Sequence, residues 1–151
     1  FRISINTDYV ITNFEHNTVS LNERIEAIAK MARAGYPVGF LLAPIMLYEN
    51  WQKDYEFLLN TLQSRLGAKL SQRVLSFELI QHRFTKTAKE LILQRYPETK
   101  LDMAEESRML KWGRYGRYKF VYKKEEGEEM KEFFSRMILE KFPQADIKYF
   151  T

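Results

Sequence analysis

Residues Lys111 to Tyr122 read KWGRYGRYKFVY, setting the cations Lys111, Arg114, Arg117 and Lys119 among Trp112, Tyr115 and Tyr118, with Gly113 and Gly116 between them. Cations suit phosphate oxygens and flat rings suit exposed bases. Glycine admits backbone angles closed to other residues and lets another group approach closely. The mixture points to contact with nucleic acid. Elsewhere the chemistry-bearing residues are sparse. His16 and His82 are the only histidines, and they lie in different units without metal-ligand spacing. His82 directly follows a strand, where active-site residues of parallel-sheet proteins gather; the plainer reading is a structural histidine. Gln81 and Arg83 flank it and could line the same cavity. Glu78 lies inside an apolar strand, so it either pairs with a cation such as Arg83 or faces a polar cavity. Ser4 and Asn6 alternate with Ile3 and Ile5 and share the opposite strand face, where they meet either a ligand or solvent. The acidic run Glu125 to Glu129 reads as a solvated helix start favoured by the helix dipole rather than as a metal site.

These residues need elements to hold them. Ile3 and Ile5 mark a strand over Phe1 to Asn6. Ser20-x-x-Glu23 is a capping box that opens a helix, and Leu21, Ile25, Ile28 and Ala32 fall on one of its faces. Gly35 and Pro37 end it. Val38 to Ile45, VGFLLAPI, is a nearly continuous apolar run, as expected of a parallel strand covered on both faces. Trp51, Tyr55, Leu58, Leu62 and Leu66 make the next helical stripe, closed by Gly67. Val74 to Ile80 is a third strand, and Thr85 caps a third helix carrying Ala88, Leu91 and Ile92. Strand and helix thus alternate over residues 1–96, which implies right-handed βαβ units and a parallel sheet. Three strands leave both sheet edges open, so the sheet is half of a barrel or is completed by another segment. Residues 97–151 change character. GRYKFVY reads as an edge strand after a glycine-rich turn, Glu126 to Phe142 as a helix burying Met130, Phe133, Phe134, Met137 and Ile138, and Asp146 to Phe150 as a closing strand.

Composition bounds the function. A chain of 151 residues with 45% hydrophobic content can bury a sizeable core. Its net charge of +4 permits an anionic partner without requiring one. With no cysteine, disulfides, thiol nucleophiles and thiolate metal sites are excluded. No apolar run is long enough for a membrane span, and the absence of a secretory signal makes a cytoplasmic setting the default. The chain opens on a strand without an initiator methionine.

SINTDYVITNFEHNT followed by ERIEAIAKMARAGYPVGFLLAPI resembles the second half of a radical S-adenosylmethionine barrel, with Glu15-His16-Asn17-Thr18 standing where that superfamily often has Glu-Pro-x-Thr. GYPVGFLLAPI, FELIQHRFT, KWGRYG and the terminal KYFT resemble, in the same order, the spore photoproduct lyase family of DNA repair enzymes. The resemblance implies an α/β fold: the C-terminal half of a partial (β/α)6 barrel, then a β-hairpin, helix and strand extension. It implies a family activity in which a [4Fe–4S] cluster and S-adenosylmethionine generate a 5′-deoxyadenosyl radical that reverts the spore photoproduct, a thymine dimer, to two thymines. It implies cofactor contacts at Ser4, Asn6 and Ala43 and a lesion grip at Arg114 and Tyr115. Lys111, Arg117 and Lys119 would meet phosphates or serve only solubility. The family's cluster cysteines and its hydrogen-donating cysteine lie in the first half of the barrel, so this chain, without cysteine, is expected to bind no cluster and to be inactive alone. Its partners would be lesion-bearing DNA and an N-terminal half. Two alternatives stand beside this reading: half of another radical S-adenosylmethionine enzyme, which would not need the hairpin, and a non-catalytic nucleic-acid-binding module.

Overall fold

The computed structural model describes residues 1–71, 73–113 and 116–151, the side chains of Lys69 and Ser71 aside. The elements run β1 (Arg2–Ile5), α1 (Asp8–Phe14), α2 (Leu21–Arg33), β2 (Gly39–Ile45), α3 (Trp51–Leu66), α4 (Ala68–Ser71), β3 (Ser76–Gln81), α5 (Lys86–Arg95), a short 3-10 turn (Glu105–Ser107), β4 (Arg108–Trp112), β5 (Tyr118–Tyr122), α6 (Lys124–Lys141) and β6 (Asp146–Phe150).

Among the described residues β1, β2, β3 and β6 form one sheet in that order, every neighbouring pair parallel. The closing strand therefore returns to the sheet as its fourth member and covers the edge of β3. A pairing across so much sequence leaves no local trace, which is why alternation over residues 1–96 shows three strands. Gly39 sits opposite Ser76, where a Cβ would stand 2.0 Å from the Ser76 Oγ and 2.9 Å from its carbonyl oxygen. Only glycine lets the two strands approach there.

The sheet has two unlike faces. Ile5, Phe40, Leu42, Phe77 and Leu79 are all fully buried, beneath Ile25 and Ile28 of α2, Leu58 and Leu62 of α3, and Phe134 and Ile138 of α6. Side chains alternate along a strand, so the other face carries Ser4, Leu41, Ala43 and Ile80, which are half-buried. The apolar run of β2 thus has one face closed by helices and one that is not, a correction to the expectation of cover on both.

The helices start as their caps dictate. Ser20 and Glu23 make the expected reciprocal capping box on α2, and Thr85 accepts the amide of Ala88 at the start of α5. Helix α6 begins at Lys124, two residues early, because the Glu126 carboxylate accepts the Lys123 amide. It buries all five residues of its expected stripe. Helix α5 departs from expectation: it buries no residue fully, and Leu91 is 59% exposed. Only Ile92 packs against a small cluster of Phe84, Met103 and Phe120.

Candidate cofactor face and nucleic-acid hairpin

Strands β4 and β5 pair antiparallel from Arg108 opposite Tyr122 to Trp112 opposite Tyr118. The Gly113 amide donates to the Arg117 carbonyl at 2.7 Å, and Gly116 takes φ +66°, a left-handed angle that glycine adopts without strain. The expected hairpin is therefore present. Arg114 and Tyr115, the pair expected to grip the lesion, lie outside the described residues. Lys111 and Lys119 are a cross-strand pair, and with Arg117 they line one depression of about 310 Å3. Arg83 from the end of β3 joins them there, its Nη1 donating to the Thr151 hydroxyl at 3.1 Å. Four cations around one hollow make an anion-attracting surface. Nothing in the local sequence links Arg83 to the hairpin; the backbone bridge between Phe84 and Phe120 brings the two together.

On the less covered sheet face, Ser4 is paired with Leu41, Leu41 with Glu78, and Glu78 with Tyr149. Ala43 lies on this face two residues beyond Leu41. The β2–β3 register shifts between Leu42 and Ile45, so Ala43 and Pro44 have no paired residue on β3. A small side chain with its backbone off the ladder suits a ligand that lies along the strand. Ser4 and Ala43 thus share a face. Asn6 does not continue the alternation: it is fully buried just past β1. Its Nδ2 donates to the Pro44 carbonyl at 2.8 Å, and its Oδ1 accepts from the Thr7 amide and from the Tyr55 hydroxyl. Those bonds tie the end of β1 to the segment after Ala43.

Glu78, 6% exposed, pairs with Arg2 at 2.6 Å and accepts from the Tyr149 hydroxyl at 2.8 Å. Its cation is Arg2 rather than Arg83. The Tyr149 hydroxyl is held above its ordinary pKa chiefly by that bond to the carboxylate.

Beneath Ser4 lies a cluster that gives the Glu15 to Thr18 element its role. Buried Arg24 donates to the Glu15 carboxylate at 2.7 Å, to the Thr18 hydroxyl at 2.8 Å and to the carbonyls of Val19 and Ser4. The loop before α2 is thereby fastened to the strand that carries Ser4. A sequence signal existed: Arg24 falls on the apolar side of α2 between Leu21 and Ile28, and a cation in that position demands a buried partner.

Tyrosine hydroxyls secure the ends of the strands. Tyr55 accepts the Met46 amide, Tyr122 accepts the Leu47 amide, and Tyr48 donates to Thr7. Burial raises the hydroxyl pKa of all three, so they remain protonated near neutral pH. His82 is also buried here, its ring stacked on Phe84 and its Nδ1 3.5 Å from Arg108 Nη2. Burial first, and Arg108 second, lower its pKa to about 4. The ring is neutral at neutral pH and packs on Phe84. His16 lies apart, against Tyr96.

Two cofactors are at issue. Ser4 and Ala43 offer a hydroxyl and an unladdered backbone on one face, which fits an adenosyl ligand. The chain's residues do not fit an iron–sulfur cluster, since thiolates are its usual ligands and there is no cysteine. Among the described residues no group of three or more His, Asp or Glu could hold a metal, and no helix is long and apolar enough to cross a membrane.

The sequence model of the family described as Spore photoproduct lyase matches residues 1–151. The spore photoproduct lyase of Bacillus subtilis (strain 168) is 50% identical over 151 residues, which are all of this chain and 44% of the relative. That of Geobacillus sp. (strain Y412MC61) is 49% identical over 152 residues, again 44% of its length. Among solved structures, a spore photoproduct lyase double mutant with bound AdoMet and dinucleoside spore photoproduct superposes with a TM-score of 0.94 at 50% identity, covering all of this chain and 44% of that one. A second, complexed with dinucleoside spore photoproduct, gives the same values. The chain spans less than half the length of the relatives it matches, and it belongs to the spore photoproduct lyase family.

Proposed function

We propose that this chain supplies the cofactor strands and the lesion hairpin of a spore photoproduct lyase. The observation that carries the reading is the likeness of the whole of this chain, at 50% identity, to 44% of a lyase with bound AdoMet and dinucleoside spore photoproduct. In this reading Ser4 and Ala43 contact S-adenosylmethionine from the less covered sheet face, and Asn6 keeps the strand ends in place behind them. Arg114 offers a fork of donors to a thymine carbonyl or phosphate, and Tyr115 stacks on the extruded lesion. Lys111, Arg117, Lys119 and Arg83 receive the phosphates around it. When bound, S-adenosylmethionine supplies the hydrogen-abstracting chemistry that acts at C6 of the lesion. The [4Fe–4S] cluster and the hydrogen-donating cysteine come from an N-terminal portion, in the same polypeptide or another.

The test is a binding titration of lesion-bearing and intact duplexes at two salt concentrations, with the chain joined to the N-terminal portion of the Bacillus subtilis relative. Lys119→Ala should weaken both complexes alike and lower the salt slope by about one phosphate contact. Tyr115→Ala should chiefly erode the preference for the lesion, by about 1–3 kcal/mol. Equal affinity of the parent for both duplexes would instead favour the non-catalytic nucleic-acid-binding module, the reading that the missing cysteines support for this chain taken alone.

A further inference from the structure

The base of the hairpin is bonded to the segments that follow the two central sheet strands. Arg108 and Tyr122 form its first cross-strand pair, and both are buried. The Tyr122 hydroxyl accepts the amide of Leu47, two residues beyond β2, at 3.0 Å. The Arg108 guanidinium lies 3.6 Å from the Tyr122 ring centroid. From there Nη1 reaches the His82 carbonyl just after β3, and Nη2 reaches the Asp102 carbonyl at 3.1 Å. His82 in turn donates its amide to the Ile45 carbonyl at 2.7 Å, tying β3 back to β2. Strand β4 adds little apolar anchorage, because Met109, Leu110 and Trp112 are exposed; on β5, Phe120 is buried and exchanges two backbone bonds with Phe84, a single pivot that leaves the angle of the hairpin to the joints at its base.

We infer that Arg108 and Tyr122 are positioning residues that hold the lesion hairpin at a fixed distance and angle from the strand bearing Ala43, an inference that rests on the function proposed above. The residue types suit the task. Arginine can stack its flat, always-charged face on a ring while sending separate N–H donors to two carbonyls. Tyrosine offers an apolar ring to the core and an oxygen to the Leu47 amide. Hydrogen abstraction needs the reacting atoms within a narrow range. A hairpin that rocked would let the cofactor be spent without repair of the lesion.

The chain has no cysteine, so paired spin labels can be placed without background, at Lys30→Cys on α2 and Lys119→Cys on the hairpin, both exposed. The expected result is one narrow distance distribution in the parent, and a width at least doubled in both Arg108→Lys and Tyr122→Phe. Widths equal to the parent's in both variants, even with a lowered melting temperature, would overturn the inference and leave the two residues merely structural. Should Arg108→Lys fail to fold, Tyr122→Phe, which keeps the ring, decides alone. The second readout uses the chain joined to the N-terminal portion of the Bacillus subtilis relative. S-adenosylmethionine consumed per lesion repaired should rise about fivefold in the variants with its KM unchanged, and an unchanged ratio would overturn the coupling. A joined parent that repairs nothing would overturn the proposed function, while the distance widths still decide the positioning role.

Discussion

The parallel sheet and the hairpin are held by different means. The sheet stands on a continuous apolar core that runs from Ile5 through α2, α3 and α6 to Phe142. Among the described residues the hairpin touches that core only through Tyr122 at its base; beyond it the hairpin rests on a small cluster in which Phe84, Met103 and Phe120 are the buried members, on the backbone bridge between Phe84 and Phe120, and on the polar joints of Arg108 and Tyr122. Its outward residues include Trp112 at 67% exposure and Met109 at 43%. A core distributes its stability over many contacts and resists local opening. An element held by a few joints opens independently of the core once those joints are cut. In the proposed function that division fits the chemistry: the cofactor needs a rigid floor, and the lesion needs a grip outside the core, set at a fixed distance from that floor.

The largest expected effect comes from the sheet. Phe77→Ala removes a fully buried ring packed on Phe40 and Phe142 and should cost about 3–5 kcal/mol, read by denaturant unfolding of the whole chain. Phe84→Ala should cost less and should speed hydrogen exchange in β4 and β5 while β2 and β3 stay protected. Equal loss of protection in both regions would erase the distinction between them.

Arg24→Ala comes next. It leaves the Glu15 carboxylate without its cation and frees the loop before α2. Breaking a buried pair from one side is strongly destabilising; because Glu15 is partly exposed, about 3 kcal/mol is expected. Exchange at the Ser4 end of β1 should rise in step, and unchanged exchange there would detach this cluster from the cofactor face.

The joint between the regions should respond to pH. His82 titrates near 4 in the fold and near 6.5 in an unfolded chain. Between those values the unfolded state binds the extra proton, so stability present above about pH 6.5 falls as the pH drops and levels off below about pH 4. The loss is on the order of 2–3 kcal/mol. His82→Gln should flatten that part of the stability profile. A profile of the same slope in the variant would assign the acid response to other groups. The smallest effect is at a helix start: Ser20→Ala should cost about 1 kcal/mol by removing the cap of α2, and should leave hairpin exchange untouched.

The sheet was far more legible in the sequence than the joint. Apolar runs and capping residues act within a few positions, so β1, β2, β3, α2, α3 and the buried stripe of α6 could be read directly. The partners that fasten the regions lie far apart in sequence: Leu47 with Tyr122, His82 with Arg108, Phe84 with Phe120. No local pattern encodes such pairs. For the same reason β6 reads as a closing strand, while its place beside β3 and the arrival of Arg83 among the hairpin cations do not. Helix α5 misleads in the opposite sense, since its apolar residues suggest a core that the fold does not build over Leu91.

The most direct test of the proposed activity joins this chain to the N-terminal portion of the Bacillus subtilis relative. The joined protein is reconstituted with iron and sulfide without oxygen, then supplied with a reductant, S-adenosylmethionine and the dinucleoside spore photoproduct, and the thymine products are measured by chromatography and mass spectrometry. The account predicts restored thymines from the joined protein and none from either part alone. A correctly folded, cluster-loaded joined protein that binds S-adenosylmethionine yet leaves the lesion intact would contradict it.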